Sequence, residues 1–483
     1  MSKFISSILK LLTATILGQI LGILVMPLLS RLYTPADFGM FQLFISIVAL
    51  IATISCLSYS SAINLPQKHE DAANIVTLCF FLIIITAVIT TIFFVVFSEN
   101  VDRLLNSPGL SYYLLLLPLA IIFNSFAYVL SFWLSRREEF GTMAKGNLYS
   151  SVSGKAVSVG SGVLSPSPFG LIFGTIINDA TLFVVFLRST IADSHLFREV
   201  SYEKMKQLAY RYKKFPQYDL IARVANSATM QCTPFLLVFF FSPIIVGYYA
   251  MANLVINLPV KLVANSFSSV FYQKICTEKK ETGCIKNIVR LVHTRLVSIG
   301  MFGCLIIMII GPELFTFILG KNWYTAGVYA QILTPYFFVV FISVPLFSIL
   351  NVMEKQDIFL WFNLLTLFST IVVLIIGGLS GNPLIVMLLL SCNGIVFWSW
   401  VNMTTLKIAG VSRRDAGYEI IRYLLFGLLF CLPLIIAKYY SIQSPTIIFI
   451  ALIVSVFYYM VIVYQDKQLK NGLVNFIGQI RQK

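Results

Sequence analysis

Charged side chains are scarce in this sequence. Asp, Glu, Lys and Arg make up 11% of the 483 residues, whereas about 25% is usual for a soluble domain. Hydrophobic residues make up 58%, and the mean hydropathy is +0.87. This composition excludes an ordinary water-soluble domain and predicts an all-α protein that lies in a membrane.

Residues that hold metals or nucleotides are also few. The three histidines, His69, His195 and His293, are far apart in sequence, and none of the eight cysteines forms a C-x-x-C pair. The sequence has no G-x-x-x-x-G-K-[ST] phosphate-binding loop. We therefore expect no metal site, no cofactor and no ATP hydrolysis, and we interpret the cysteines as small buried hydrophobic residues.

Long hydrophobic runs recur along the whole chain. About 20 residues are enough to cross a hydrocarbon core ~30 Å thick at 1.5 Å per residue. The first run is flanked by Lys3 and Lys10, and no A-x-A cleavage pattern follows it, so we expect it to remain as an anchor. We predict fourteen spans, at 8–29, 40–63, 74–97, 112–135, 146–165, 168–187, 217–241, 244–270, 288–311, 328–352, 358–379, 383–406, 418–437 and 443–464.

Positive charge is concentrated on one side of these predicted spans. The loops on the side of the two termini hold most of the 35 Lys and Arg residues, and the opposite loops hold only Arg31, Arg103, Lys321 and Lys438. This bias predicts that both termini are cytoplasmic. Topology and contact with anionic lipid then explain the net charge of +15 without nucleic-acid binding.

A short motif occurs twice. TPADFGMF begins at Thr34 and SPIIVGYY begins at Ser242, so that Pro35 and Gly39 correspond to Pro243 and Gly247. The copies follow the first and the seventh span, and two short charged turns, WLSRREEF and NVMEKQDI, follow the fourth and the tenth. We interpret this as duplication of a six-helix unit in the same orientation, an architecture that secondary transporters use.

The repeat predicts a division into four parts. Residues 1–190 are a first lobe of six helices, 191–216 a cytoplasmic amphipathic linker, 217–410 a second lobe, and 411–483 two further helices with a cytoplasmic tail. In the linker, Met205, Leu208 and Tyr212 recur at helical spacing among basic residues. We expect this helix to lie along the membrane surface.

Five ionisable residues within the spans are candidates for function, because each costs about 2.5 to 3.5 kcal/mol to insert into a membrane. They are Lys155, Asp179, Asp219, Arg223 and Lys261. Lys155 lies in a Ser- and Gly-rich span. Either one face of this helix borders water and Lys155 lies on it, or the lysine has a structural role, in which it snorkels or pairs with Asp179. Arg223 follows Asp219 by four residues, so the two can pair as a structural clamp, and contact between Arg223 and substrate stays open. Asp179 and Asp219 are the candidates for coupling to a proton or sodium gradient, with a helix-packing hydrogen bond as the alternative for Asp179.

The eighth span carries a polar row. Asn253, Asn257, Lys261 and Asn265 follow one another at four-residue steps, which place neighbouring members on one helix face. Lipid would leave these groups without hydrogen-bond partners, so we expect the row to line an aqueous cavity or to pack between helices. Pro259 within the row permits bending.

The stretch LLTATILGQILGILVMPLLSRLYTPADFGMFQLFISIVAL, followed by SSAINLP, is similar to the opening of bacterial polysaccharide flippases in the multidrug/oligosaccharidyl-lipid/polysaccharide exporter superfamily. The resemblance extends to about residue 405, and its most specific part runs from Arg31 through Asp37 to Phe41. It implies a MATE-like, V-shaped pair of lobes with alternating access. It also implies an undecaprenyl-diphosphate-linked O-antigen or exopolysaccharide unit as cargo, with a polysaccharide polymerase and a chain-length regulator as partners.

Four functions remain in competition. In a flippase, fixed Lys and Arg would replace the water and counterions around a lipid-linked diphosphate as it crosses to the periplasmic leaflet. A multidrug exporter of the same fold would need an acidic cavity for cationic compounds, and this cavity has more cationic than anionic candidates. A membrane polymerase or glycosyltransferase would expose a large catalytic loop, but the outward loops are short. A scaffold that transports nothing is the fourth.

Overall fold

A computed structural model describes residues 2–282, 284–353, 355–440 and 442–465. Side chains are described from Leu17 onward, with several gaps, of which the longest within the helices is 262–270. Fourteen of the described helices are at least 20 residues long and are numbered α1 to α14. They are Ser2–Leu32, Pro35–Ser55, His69–Leu104, Leu117–Arg136, Phe140–Leu164, Pro168–Ile191, Leu220–Phe240, Pro243–Thr282, Lys286–Leu319, Tyr324–Ser343, Gln356–Leu379, Pro383–Ile408, Arg413–Tyr439 and Ser444–Gln465.

Each predicted span overlaps one of these helices, and eleven of the helices contain a stretch long and apolar enough to cross a membrane. The chain is therefore a multi-pass membrane protein. The other three are α1, whose described apolar part is Leu17–Leu32, and the polar helices α5 and α7. Serines, glycines and Lys155 lower the hydropathy of α5, while Arg223, Asn226 and Gln231 lower that of α7.

The described residues separate into two compact units, one that ends at Ala250 and one that begins at Met251. Helix α8 runs through this boundary. The division predicted from the sequence, at residues 190, 216 and 410, follows the repeat and stays a prediction.

In the first unit, α3, α4 and α6 pack around an apolar core. Trp133 is fully buried there, and Phe186 and Leu208 belong to the same cluster. Leu208 comes from the helix Tyr202–Arg211, which confirms the helix predicted in the linker. Its apolar side lies against the protein, and its predicted position along the membrane surface stays a prediction.

Small residues in α5 allow close packing against α6 and α1. A Cβ atom on Gly174 would lie 2.0 Å from Oγ of Ser158, and one on Gly154 would lie 2.8 Å from the carbonyl oxygen of Gly174. The hydroxyl of Tyr33, which follows α1, donates to the carbonyl oxygen of Ser158 at 2.6 Å. Burial of Tyr33, and then the charge of Asp37, raise the pKa of its phenol. The Ser and Gly content of α5 therefore reflects helix packing at these positions.

The repeated motif begins α2 and α8. In the first copy, Thr34 caps α2: its hydroxyl accepts from the backbone N–H of Asp37 at 3.3 Å, and Oδ2 of Asp37 accepts from the backbone N–H of Thr34 at 2.8 Å. Pro35 is the first residue of the helix, where its missing N–H does no harm. Arg31 lies in the last turn of α1, just before this cap.

The two copies of the motif contact each other inside the first unit. A Cβ atom on Gly39 would lie 1.8 Å from the carbonyl oxygen of Pro243, and one on Gly247 would lie 1.8 Å from the carbonyl oxygen of Pro35. The contact is reciprocal, as expected of two related segments that meet across a local twofold axis. Only glycine allows the two helices to approach this closely.

In the second unit, α9 breaks next to Pro312. Ile310 has the non-helical angles φ −120° and ψ 22°, and the missing N–H of a proline frees a carbonyl one turn earlier. Nε2 of Gln331 donates to the carbonyl of Met308 at 2.8 Å, and Nζ of Lys438 donates to the carbonyl of Ile309. Polar side chains therefore satisfy the backbone groups that the break exposes.

Lys438 also pairs with Glu313, at 3.1 Å between Nζ and Oε1. The sequence analysis placed Lys438 in an outward loop, but it lies in the last turn of α13 and contributes to packing. Helix α14 packs on the same helix α9, where the hydroxyl of Tyr458 donates to the carbonyl of Ser298 at 2.8 Å. The two helices beyond the repeat are thus integral to the second unit.

Candidate functional site

Arg223 makes three side-chain hydrogen bonds inside the first unit. Its Nε donates to Oδ2 of Asp219 at 2.7 Å, its Nη1 to the hydroxyl of Tyr128 at 3.0 Å, and its Nη2 to Oγ of Ser61 at 3.0 Å. These bonds link α7 to α4 and to the loop after α2. The predicted pair of Asp219 and Arg223 is present, so Asp219 already has a fixed cation partner and is weakened as an ion-coupling residue.

A cavity of about 330 Å³ lies beside Arg223, enclosed by the end of α2, α4 and α7. Its remaining lining is uncharged and comprises Ala49, Ala52, Thr53, Cys56, Ser58, Ser60, Asn124, Ser125, Tyr128, Asn226, Ser227, Met230 and Gln231. Polar and apolar side chains both line it, and the polar ones are the more numerous.

The loop that closes this cavity is strained. Leu57 and Ser58 both have positive φ angles, 48° and 61°, which cost of order 1 kcal/mol or more each for residues other than glycine. The surrounding contacts hold the loop in place. Nη2 of Arg136 donates to the carbonyl of Pro66 at 2.7 Å, and the hydroxyl of Tyr59 donates to the carbonyl of Ala209 at 3.1 Å.

Several polar groups of the cavity have spare hydrogen-bonding capacity. Oγ of Ser58 is buried and lacks a partner among the described residues. Asn226, Ser227 and Gln231 lie along α7, and within the described chain their side chains have no hydrogen-bond partner. Such groups are normally satisfied by protein, water or ligand.

Asp179 lies in α6, and its Oδ2 accepts from Nδ2 of Asn124 at 2.9 Å. This is the helix-packing hydrogen bond that the sequence left as an alternative. The other alternative, an ion pair between Asp179 and Lys155, does not occur between these two described side chains. Asn124 connects Asp179 to the cavity, because it also lines it.

Lys155 is half-buried near the middle of α5, fifteen residues after its first residue, Phe140. The preceding residue, Gly154, packs against α6, and Ser151, one turn earlier, lies against Gly18 of α1. Among the described residues, Lys155 has no carboxylate partner and no hydrogen-bond acceptor. A cation within the bundle is thus left available to an external anion.

On α8, Nδ2 of Asn257 donates to Oδ1 of Asn253 at 2.9 Å, which confirms that the two share a helix face. Lys261, one turn further along, is exposed, and no carboxylate of the described chain pairs with it. Pro259 lies inside the helix, which continues past it. The side chain of Asn265 lies outside the described residues. Whether this face lines a cavity stays a prediction.

The sequence did not identify Ser61 and Tyr128 as partners of Arg223, or Asn124 as a residue of the cavity. Ser61 lies within the quoted stretch SSAINLP but carried no assigned role, and Tyr128 looked like an ordinary aromatic residue of a span. Asn124 had a usable signal, since an amide inside an apolar span needs a partner. That partner is Asp179.

Comparison with known proteins comes from sequence and from fold. The sequence profile of the family described as "Polysaccharide biosynthesis protein" matches residues 28–327, which is more than half of the chain. A search of curated proteins finds no match.

Three solved structures have a similar fold. One is described as the lipid II flippase MurJ in an inward closed conformation, with 16% identity, a TM-score of 0.72, and coverage of 94% of this chain and 99% of that one. The second is an inward-facing multidrug resistance MATE family transporter of the MOP superfamily, with 14% identity, a TM-score of 0.58, and coverage of 84% and 99%. The third is the Vibrio cholerae MATE transporter VcmN, with 13% identity, a TM-score of 0.53, and coverage of 85% and 98%.

These matches confirm the predicted fold class, an all-helical membrane protein with the fold of MurJ and the MATE transporters. The likeness to these structures is one of fold. The substrate has to be argued from the side chains.

Proposed function

Because the chain belongs to the polysaccharide biosynthesis protein family, we propose that it is a flippase for glycans linked to undecaprenyl diphosphate. It moves an O-antigen or exopolysaccharide repeat unit from the cytoplasmic to the periplasmic leaflet of the bacterial inner membrane, with both termini cytoplasmic. The protein breaks no covalent bond, and translocation proceeds by alternating access.

The observation that carries this proposal is a pair of lysines in membrane helices. Lys155 and Lys261 have no carboxylate partner among the described residues. An ammonium group at membrane depth costs about 2.5 to 3.5 kcal/mol to insert, so its retention without a protein counter-ion calls for another anion. A lipid-linked diphosphate supplies that charge.

The lysines solve the main physical difficulty of the reaction. A diphosphate that leaves water loses its hydration, and a charge without compensation is costly in hydrocarbon. Lysine is a compact point charge that can meet a phosphate from several directions. Each lysine contacts the diphosphate during its passage, while the polyprenyl chain remains in lipid.

Charge also separates this proposal from its rivals. The fold is shared with multidrug transporters and therefore does not discriminate between the two functions. An exporter of cationic compounds would be hindered by uncompensated lysines, and the carboxylate of Asp219 is neutralised by Arg223. A polymerase or glycosyltransferase on the same lipid would additionally need catalytic groups near the diphosphate.

Energy for directional transport would come from a proton or sodium gradient. Asp179 is the better candidate for coupling, because its partner Asn124 is neutral, whereas Asp219 is already paired with a cation. Neutralisation by Asp179→Asn is expected to slow accumulation in the outer leaflet.

Leaflet-resolved detection of the lipid-linked unit tests the function. In a deletion strain, the intact gene should restore the unit to the periplasmic leaflet, and Lys155→Ala and Lys261→Ala should each reduce this at least ~10-fold, which corresponds to about 1.4 kcal/mol. Lys261→Arg should remain partly active because it keeps the charge. Lys145→Ala, an exposed lysine earlier in α5, is the matched control. Normal transport by both alanine variants at normal protein level would refute the proposal.

A further inference from the structure

We propose that the cavity between α2, α4 and α7 holds a sugar ring of the lipid-linked glycan, as a neutral subsite that recognises the carbohydrate rather than the diphosphate. The inference rests on the proposed function, because it names the part of that substrate that these residues contact. Four properties of the cavity support it: charge, spare hydrogen bonds, shape and size.

The charge of the cavity is balanced. Among the described residues that line it, Arg223 is the one that carries a charge, and Oδ2 of Asp219 lies 2.7 Å from its Nε. Three of the five guanidinium N–H groups are occupied by Asp219, Tyr128 and Ser61. A diphosphate would compete with a carboxylate already in place, whereas a sugar hydroxyl can accept from the two remaining N–H groups without displacing it.

The spare hydrogen-bonding groups match a carbohydrate. Asn226 and Gln231 each offer a donor and an acceptor, and the hydroxyls of Ser227 and Ser58 do the same. None of these four groups has a side-chain hydrogen-bond partner in the described part of the chain, and Ser58 is only 2% exposed. Ser58 is the buried member of the four, and a buried polar group left without a partner costs about 1 to 3 kcal/mol. Ser227 and Gln231 are half-buried, and Asn226 is exposed. Sugar hydroxyls, which donate and accept, would satisfy all of them.

The shape of the cavity also suits a single ring. Ala49 and Ala52 are small side chains on the α2 side of the cavity, and Tyr128, which also lines it, is an aromatic side chain of the kind that packs against the C–H groups of a sugar. The volume of about 330 Å³ lies at the lower end of the roughly 300 to 1,000 Å³ of small-molecule sites. This is room for one ring, so we expect recognition of one sugar and not of the whole repeat unit.

The test compares lipids with and without a sugar. Purified full-length protein in nanodiscs is titrated with undecaprenyl diphosphate and with the same lipid carrying glucose, galactose or N-acetylglucosamine. We expect at least one glycosylated lipid to bind ~10-fold more tightly than the bare lipid, which is worth about 1.4 kcal/mol. The double variant Asn226→Leu/Gln231→Leu should lose this gain and keep its affinity for the bare lipid.

Lys155→Ala is the converse control, and it should weaken binding of bare and glycosylated lipids by the same factor. If the leucine variant does not fold, as judged by its melting temperature, the single variants Asn226→Ala and Ser227→Ala give the same comparison. If no sugar improves binding of the intact protein, while bare lipid binds in a Lys155-dependent way, the sugar subsite is wrong and the proposed function stands. If the cavity variants lose the same affinity for bare and for glycosylated lipid, the sugar subsite is also wrong. If the intact protein binds none of these lipids, both the sugar subsite and the proposed function are wrong.

Discussion

Helices α2 and α8 begin with the same motif but carry different residues about three to four turns further along. Pro35 and Gly39 of α2 match Pro243 and Gly247 of α8 at an offset of 208 residues. At the same offset, Ala49 and Thr53 stand where α8 has Asn257 and Lys261. The two copies therefore share the backbone contact but differ in the residues of this helix face.

The divergence has a physical meaning in the first unit. Ala49 and Thr53 line the cavity beside Arg223, so the corresponding face of α2 borders open space. Small side chains there leave room for a ligand, and the polar contacts come from α4 and α7. In α8 the same face supplies its own amides and an ammonium group. The comparison indicates that α2 contributes small side chains that leave room for a cavity, whereas α8 contributes amide groups and a positive charge.

The largest expected effect comes from breaking the contact that the copies share. Gly39→Ala or Gly247→Ala would place a methyl group 1.8 Å from a backbone carbonyl oxygen, which forces the two helices apart. We expect destabilisation of more than ~4 kcal/mol or loss of folded protein. The measurement is the yield of monodisperse protein and its melting temperature in detergent.

Gly160→Ala in α5 is the matched control for these variants. No atom outside its own helix turn lies within 4 Å of the added methyl group, and alanine is the better helix former by about 1 kcal/mol. Its melting temperature should stay the same or rise. Stable protein from Gly39→Ala would contradict the close reciprocal approach.

The next effect comes from converting the second copy into the first. Asn257→Ala/Lys261→Thr gives α8 the residues of α2 at the equivalent positions. We expect transport of the lipid-linked unit to fall at least ~10-fold, equivalent to about 1.4 kcal/mol, because the diphosphate loses a cation. The melting temperature should change little, since the Lys261 side chain is exposed and unpaired in the described chain. Unchanged transport would remove the functional distinction between the copies.

The smallest effect concerns the start of each copy. Thr34→Ala removes the cap of α2 and the reciprocal bond with Asp37, at a cost of about 1 kcal/mol. The second copy has Ile245 where the first has Asp37, so Ser242→Ala cannot break a capping box and should cost less. Thermal unfolding of the two variants side by side checks the order. A larger loss from Ser242→Ala would reverse the comparison.

Much of the fold could be predicted because membrane helices can be recognised in a sequence by their length and apolar composition. The polar helices α5 and α7 were predicted as spans from the recurrence of hydrophobic runs, although they fall below the apolarity of the other helices. The spacing of Asn253 and Asn257 on one face followed from helical geometry alone. The pairing of Asp219 with Arg223 followed from their four-residue separation.

The rest depended on contacts between segments distant in sequence. Tyr128 and Ser61 lie 95 and 162 residues from Arg223, and nothing local identifies them as its partners. Asp179 could equally have met Lys155 or Asn124, and only the packing of α4 against α6 decides for Asn124. The unpaired hydroxyl of Ser58 arises from a strained loop that hydropathy does not reveal.

The break in α9 makes the second unit depend on its last helices. Lys438 reaches from α13 to the carbonyl of Ile309 and to Glu313. A protein shortened before α13 would leave the carboxylate of Glu313 without its cation, and the carbonyl of Ile309 would keep the longer hydrogen bond from Nε2 of Gln331, at 3.3 Å. Removal of the final two helices would therefore destabilise α9, because polar groups of that helix would lose a partner that lies more than a hundred residues further along the chain.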